Sequence, residues 1–163
     1  MENDELGGGL YYSDILLWRI WKEYPQTTWG EQVFVLLLER GWDTSGVCEK
    51  GGDQTQGVIR QGEAFLQERP ASPYRNEVTF LVAEAYASWW SLGVRGDSAM
   101  ADYVDPKQYE KGAEEARTKA IRYFEKVLQE APEAELDEYT REVLPHLREK
   151  HVLNDPKFFC VYD

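Results

Sequence analysis

The sequence predicts an all-α protein made of about three helical hairpins. Three segments of the chain share one spacing of apolar residues that ends at a proline, and after each proline a second apolar pattern continues in helical steps. The length of 163 residues is that of one domain or two very small ones, and a hydrophobic fraction of 42% is sufficient for a core. The chain is therefore expected to fold mainly as one helical domain.

The three segments carry apolar or small residues twelve, eight and five positions before a proline. They are Ser13, Leu17 and Ile20 before Pro25, then Val58, Gly62 and Phe65 before Pro70, and finally Ala120, Phe124 and Val127 before Pro132. Steps of four and three residues place each set on one face of a helix. The proline then ends that helix, because it lacks a backbone N–H donor and its ring clashes with the preceding turn.

A second helix is predicted after each proline, where apolar or β-branched residues recur eight, eleven and twelve positions on. These residues are Val33, Leu36 and Leu37, then Val78, Leu81 and Val82, and finally Thr140, Val143 and Leu144. Thr27 and Ser72 stand two residues past their prolines, where a hydroxyl can cap the new helix. Each unit is therefore a helix, a proline-marked turn and a second helix. The alternative is an irregular bundle whose helices merely end at prolines.

Six helices and two flanking segments follow from these patterns. The helices are expected near residues 11–23, 29–41, 57–69, 74–91, 109–131 and 136–150, and Pro145 is expected to kink or restart the last one. A flexible leader is expected at 1–10, the helical domain at 11–151, and an extended aromatic tail at 152–163. The tail is expected to pack on the domain as a cap over the last helices, since apolar residues at a chain end are costly to leave in water. The alternative is a tail that adds a strand to a partner's sheet.

The segment from Ala120 to Pro132 has the spacing of the second helix of a tetratricopeptide repeat (TPR), and residues 74–86 resemble the first helix of the next repeat. The long turn at 70–74 is similar to that in the repeats of the outer-membrane β-barrel assembly lipoprotein and of periplasmic cell-division coordinators. Over roughly residues 12–150 the resemblance implies a right-handed α–α superhelix, a TPR-like solenoid with two long loops inside the repeats. Gly62 departs from the family pattern, which has a bulky residue there.

The resemblance also implies a function, namely a non-catalytic scaffold or adaptor that binds a partner protein or peptide. It implies the periplasm or the cell envelope, although the composition is equally compatible with the cytoplasm. The alternative is a structural subunit or fragment of a larger envelope-associated assembly, because the array begins with the second helix of a repeat. Residues 11–23 are then either a terminal cap or the continuation of repeats in a longer protein.

Composition and motifs argue against several other classes of function. With 18 basic and 30 acidic residues the net charge is −12, which disfavours nucleic acid binding, and the longest apolar run, Val33 to Leu38, is too short to insert across a membrane. Cys48 and Cys160 are too few for a disulfide scaffold or a metal motif. His146 and His151 are five residues apart, so they do not share a helical face. No cofactor, metal or catalytic site is therefore predicted, and the protein is not expected to be an enzyme.

Two long connections, 42–56 and 92–108, both join the first helix of a repeat to its second helix, so they emerge along one edge of a solenoid. Long loops in a compact domain are commonly functional. We expect a binding edge with three apolar anchors in acidic surroundings: Trp42, Met100 and Tyr103. The alternative is that the two loops are long but have no function.

Two adjacent tryptophans, Trp89 and Trp90, are expected to differ in environment. Neighbouring residues on a helix point about 100° apart, so both side chains cannot share one face. One is expected to pack in the core and the other to face a groove or loop, where it is a binding candidate.

Glu39 and Glu84 occupy one equivalent position, fourteen residues beyond Pro25 and Pro70. In the chaperone-binding members of the family this concave position tends to hold an asparagine that clamps a terminal carboxylate. Two carboxylates would repel such a ligand. A preference for basic or apolar partner segments is therefore predicted. The alternative is two solvated glutamates without a role.

Overall fold

The computed structural model describes residues 2–3, 10–11, 15–42, 54–95, 107–130, 134–153 and 157–158. A two-residue strand pair, β1 (Glu2–Asn3) and β2 (Leu10–Tyr11), lies antiparallel at the start of these ranges. Seven helices follow: α1 (Ile15–Glu23), α2 (Thr28–Glu39), α3 (Thr55–Glu68), α4 (Arg75–Arg95), α5 (Lys107–Glu110), α6 (Ala113–Glu130) and α7 (Ala134–Arg148). From residue 15 onwards the described ranges contain no strand, so the all-α prediction is confirmed.

The predicted helices differ from the observed ones in two details, and the last helix does not restart at Pro145. The first helix begins at Ile15 rather than at residue 11, because Leu10 and Tyr11 pair with β1. The fifth, predicted over 109–131, is divided into α5 and α6 at Gly112, whose φ of 94° lies in the left-handed region that favours glycine. The last continues through Pro145 without a restart. Pro145 is exposed and lies in the final turn of α7, where its missing N–H removes a single helical bond.

The fold is organised around α4, which contacts α2, α3, α5, α6 and α7. Every residue from Val78 to Ser88 is buried. A helix that is buried all round must be apolar on all its faces, and α4 satisfies this with alanine, leucine, valine and aromatic side chains. The buried polar residues Thr79, Glu84, Ser88 and Ser91 are the exceptions on this helix.

The second and third units bury the residues that their spacing predicts. All six residues before the second and third prolines are buried: Val58, Gly62, Phe65, Ala120, Phe124 and Val127. The first unit differs, because no residue of α1 is fully buried and Ile20 is exposed. Leu36 on α2 is exposed as well. The helical face that the pattern predicts in the first unit is therefore only partly covered.

The first two proline turns are joined by direct contacts. Arg69 donates through Nη1 to the carbonyl oxygen of Pro25 and, over 3.2 Å, to Glu31 Oε1. Ser72 Oγ donates to the other oxygen of Glu31 over 2.7 Å and accepts from the amide of Tyr74. Arg69 therefore connects the two turns, and Glu31 on α2 links the first unit to the second turn through Arg69 and Ser72.

Both predicted capping hydroxyls make hydrogen bonds to the backbone. Thr27 Oγ1 accepts from the amide of Gly30 over 3.0 Å and donates to the carbonyl of Tyr24. Thr27 is thus the N-cap of α2, as predicted. The corresponding donor to Ser72 Oγ is the amide of Tyr74, one residue before α4 begins.

Gly62 is required by the close packing of α3 on α4. A Cβ atom at this position would lie 2.3 Å from Val82 Cγ2, well inside van der Waals contact. The departure from the TPR pattern at Gly62 therefore has a local cause, since the fully buried Val82 occupies the space that a larger residue would need.

Candidate binding surfaces

The carboxylate of Glu84 lies at the middle of α4 and is nearly buried, with 6% of the residue exposed. Its Oε2 atom accepts a hydrogen bond from Lys157 Nζ over 2.6 Å, across 73 residues of sequence. The lysine also lies over the ring of Phe80, one helical turn before Glu84, with Nζ 5.9 Å from the ring centroid. A cationic side chain is therefore held by a carboxylate and by an aromatic face.

Phe158, the next residue of the tail, is 5% exposed and belongs to the hydrophobic core. Its carbonyl oxygen accepts a hydrogen bond over 3.3 Å from the amide of Gln54, immediately before α3. Val152 and Leu153 also pack against the core. The described tail residues thus pack on the domain, but Lys157 and Phe158 reach back to α4 and α3 and do not cap the last helices alone.

Glu84 has two further neighbours, one on each side of α4. The hydroxyl of Tyr139 on α7 hydrogen-bonds to its carboxylate, and the ring of Tyr139 lies edge-on to Phe80 with centroids 5.5 Å apart. Glu39 on α2 is exposed, and its charge acts on Glu84. We call the surface formed by Glu39, Phe80, Glu84 and Tyr139 the tail-binding groove.

The electrostatics of this groove favour a cation. Burial raises the pKa of Glu84 above its ordinary value, and the negative charge of Glu39 raises it slightly further, while Lys157 and Tyr139 lower it without offsetting the burial. An ionised carboxylate in poorly solvated surroundings gains from a cationic partner that replaces lost water. The alternative that Glu84 is a solvated glutamate is therefore wrong, because its side chain is buried and paired, whereas Glu39 is exposed.

A second surface lies where the two long insertions return to the helices. A pocket of about 590 Å³ is lined by residues of α3, α4, α5, α6 and the turn between α5 and α6: Gln56, Ile59, Tyr86, Trp89, Gln108, Lys111, Gly112, Glu115, Ala116 and Lys119. Trp89 is half-buried and donates from Nε1 to the carbonyl of Tyr109 over 3.3 Å, whereas Trp90 is 1% exposed. The predicted difference between the two tryptophans is confirmed.

A polar cluster beneath this pocket was not predicted. Glu63 Oε1 accepts hydrogen bonds from the hydroxyls of Tyr86, over 2.8 Å, and Tyr123, over 3.0 Å. Lys119 donates to the oxygen of Tyr86 and pairs with Glu115. Burial raises the pKa of both tyrosines, so they remain protonated donors at neutral pH. The members lie on three helices, and no spacing in the sequence connects them.

The three predicted loop anchors have different outcomes. Met100 and Tyr103 lie outside the described residues, as do Cys48 and Cys160. Trp42 is half-buried, with its ring edge-on to Trp18 at 4.8 Å between centroids and 4.9 Å from the ring of Phe34. Trp42 therefore packs on α1 and α2, and this contact occupies much of its side chain.

The outer side of α1 exposes apolar surface. A cavity of about 530 Å³ is lined there by Ile15, Trp18, Arg19, Lys22 and Glu23. Ile15 and Leu16 are both 62% exposed, and Trp29 at the start of α2 is 75% exposed. Ile15 and Leu16 are adjacent in sequence, and neighbouring exposed apolar residues mark interaction sites more often than isolated ones do.

Comparisons with known proteins do not assign the chain to a family. No family model matches it, and neither the curated proteins nor the solved structures contain a significant match. In the part of the chain that the structure describes, no helix combines the length and apolar character needed to cross a bilayer. Within the same residues, no group of three or more His, Cys, Asp or Glu side chains is arranged to hold a metal ion.

Proposed function

We propose that the protein is a non-catalytic scaffold that binds an extended segment of a partner protein in the tail-binding groove. The proposal includes a TPR-like, right-handed solenoid as the arrangement of its hairpins. It is supported by the contacts of α4, which packs against α2 and α7, the other helices that follow a proline turn, and against α6, the second helix of the repeat that α4 would begin. Stacked hairpins place such helices side by side and create one extended face.

This proposal is based on the observation that two residues of the tail, Lys157 and Phe158, already occupy the groove. A lysine followed by a phenylalanine already fits it, with the ammonium on Glu84 and the aromatic ring buried beside it. The predicted partner chemistry, basic or apolar segments, is the chemistry of these two residues. Acidic segments would meet the negative charges of Glu39 and Glu84 and are expected to be rejected.

An array of extended peptides probed with the full chain tests the proposal. Peptides that contain a lysine or arginine beside an aromatic residue are expected to bind, and replacement of the basic residue by glutamate is expected to weaken binding at least about tenfold, the equivalent of one lost charged contact. Glu39→Gln should weaken binding to the same peptides. Glu68→Gln, an exposed glutamate on α3, is the matched control and should have no effect. Preference for acidic C-termini would contradict the proposal.

One observation favours the alternative, a structural subunit of a larger envelope-associated assembly. The outer side of α1 is apolar and exposed, and in an array of hairpins this is the side on which a further unit stacks. The two functions depend on different residues. A stoichiometric complex that is lost on Ile15→Lys and is insensitive to Glu84→Gln would favour the assembly subunit, whereas the reverse dependence would favour the scaffold.

A further inference from the structure

We propose that Lys157 and Phe158 are the chain's own ligand for the tail-binding groove, so that a partner segment binds only after the tail has left. This inference rests on the proposed function and adds its regulation. The tail competes for the same carboxylate, the same aromatic face and the same backbone donor that a partner segment would use.

The contacts of the tail are those of a bound segment. Phe158 is held through its main chain as well as its side chain, because its carbonyl accepts from the amide of Gln54. Main-chain hydrogen bonds hold an extended peptide whatever its sequence, while side-chain contacts set the specificity. Here the specificity contact is the ion pair of Lys157 with Glu84.

The charge pattern of the tail agrees with this assignment. Lys157 is the only basic residue between 154 and 163, a stretch that also contains Asp155 and Asp163. In a chain of net charge −12 this single cation contacts the buried carboxylate of α4. A tail that only covered apolar surface would not need a cation at this position.

The tail is also bound in a way that allows its displacement. Phe158 has a φ of 63°, in the left-handed region, which is unfavourable for a residue with a side chain. The side chain of Lys157 remains 42% exposed, so its ion pair is accessible to solvent and to competing groups. A partner segment that binds with an ordinary extended backbone avoids the conformational cost. It can therefore compete with the tail despite the high effective concentration of a tethered ligand.

The test uses the full chain and a labelled peptide with the sequence of residues 154–162, carrying Cys160→Ser. The unaltered chain is expected to bind this peptide weakly, and Phe158→Ala is expected to bind it at least tenfold more tightly because the groove is vacated. Adding Glu84→Gln to Phe158→Ala should abolish the gain. Lys150→Ala is the matched control, since Lys150 is an exposed lysine paired with the exposed Glu114, and it should behave like the unaltered chain.

A milder variant keeps the test decisive if Phe158→Ala fails to fold. Lys157→Ala removes only a half-exposed ammonium, and it should raise peptide affinity in the same direction. Circular dichroism establishes that each variant is folded. Equal affinity of the folded Lys157→Ala and unaltered chains for the peptide would overturn the inference.

The peptide array separates this inference from the function on which it rests. Array peptides that bind more tightly to Lys157→Ala than to the unaltered chain support both proposals. Array peptides that bind the two chains equally would overturn the competing tail and leave the scaffold function standing. An array in which no peptide binds either chain would overturn both.

Discussion

Arg69 donates a hydrogen bond to the carbonyl oxygen of Pro25, so that the residue before the second proline turn contacts the first proline turn directly. The same guanidinium pairs with Glu31 and lies over the ring of Trp21 at 5.2 Å. The side chains of Arg69 and Glu31 are only 11% and 14% exposed. One arginine therefore connects α1, α2 and α3.

Arg69→Ala is expected to destabilise the protein by about 2–3 kcal/mol. The substitution removes the charged partner of Glu31 and the hydrogen-bond donor to the carbonyl of Pro25. Urea unfolding followed by tryptophan fluorescence measures this change. Arg19→Ala is the control, since Arg19 pairs with Glu23 on the exposed side of α1, where water and salt screen the pair, and its loss should change stability far less than Arg69→Ala does. Equal effects of the two substitutions would show that the contact of Arg69 with the first proline turn contributes nothing to stability.

Gly62→Ala is expected to destabilise the protein by about 1–3 kcal/mol, because the added methyl group overlaps the side chain of Val82 and forces α3 away from α4. Val82→Ala in the same chain should recover part of the loss, which a double-mutant cycle measures. Gly57→Ala on the same helix is the control, since its Cβ would meet neighbours at an ordinary 3.7 Å. That substitution should leave stability unchanged or slightly raised.

Glu84→Gln is expected to change the pH dependence of stability. In the folded chain burial raises the pKa of Glu84 above its ordinary value of 4.5, so the folded state binds a proton here more readily than the unfolded state does. Ionisation of Glu84 therefore lowers stability as pH rises through the raised pKa, and this effect is absent below about pH 4.5, where both states are protonated. The stability of the variant relative to the unaltered chain should increase between pH 4.5 and pH 7.5.

Glu114→Gln provides the control of opposite sign for that experiment. Hydrogen bonds from Lys150 and Arg117 lower the pKa of the exposed Glu114, so its ionised form favours the folded state above pH 4.5. The relative stability of this variant should fall as pH rises towards 4.5 and then stay level up to pH 7.5, because both states are ionised there, so it should show no rise over the range in which Glu84→Gln gains. Thermal melts at several pH values measure both differences, and parallel curves for the two variants would contradict the assigned environments.

Pro145→Ala is expected to stabilise the protein, by up to about 3 kcal/mol, because alanine restores a backbone donor inside α7 and has a far higher helix propensity. The melting temperature is the measurement. Pro73→Ala is the control, since Pro73 lies in the turn before α4 and its loss should increase the entropy of the unfolded chain. A loss of stability with Pro145→Ala would mean that the proline is needed for the packing of α7.

Helical periodicity predicts most of this fold because buried positions repeat in steps of three and four within each helix. It predicts α2, α3, α4, α6 and α7 to within a few residues, and the cap at Thr27. It fails at Gly112, because the regularly spaced alanines of α6 predict one continuous helix and a single glycine is not enough to predict the break between α5 and α6. It also fails at Ile20 and Leu36, because the pattern does not reveal whether another element covers a helical face.

The candidate site is predictable only in part for a different reason. The equivalent positions of Glu39 and Glu84 follow from the repeat, and they indicate a basic or apolar ligand. The partner of Glu84 does not follow from it, since Lys157 lies 73 residues further along the chain and reaches α4 only through the path of the tail. The same holds for the Glu63, Tyr86 and Tyr123 cluster, whose members meet through packing of α3, α4 and α6.

The return of the tail to the start of α3 has a mechanical consequence. Tension on the chain beyond residue 158 would load the contacts of Lys157 and Phe158 before it reached the seam between α6 and α7. One ion pair, one backbone hydrogen bond and one buried ring resist far less pulling than two stacked helices do. A stretched chain would therefore release its tail first, and the helices would remain folded while the released tail lengthened the connection to residue 158.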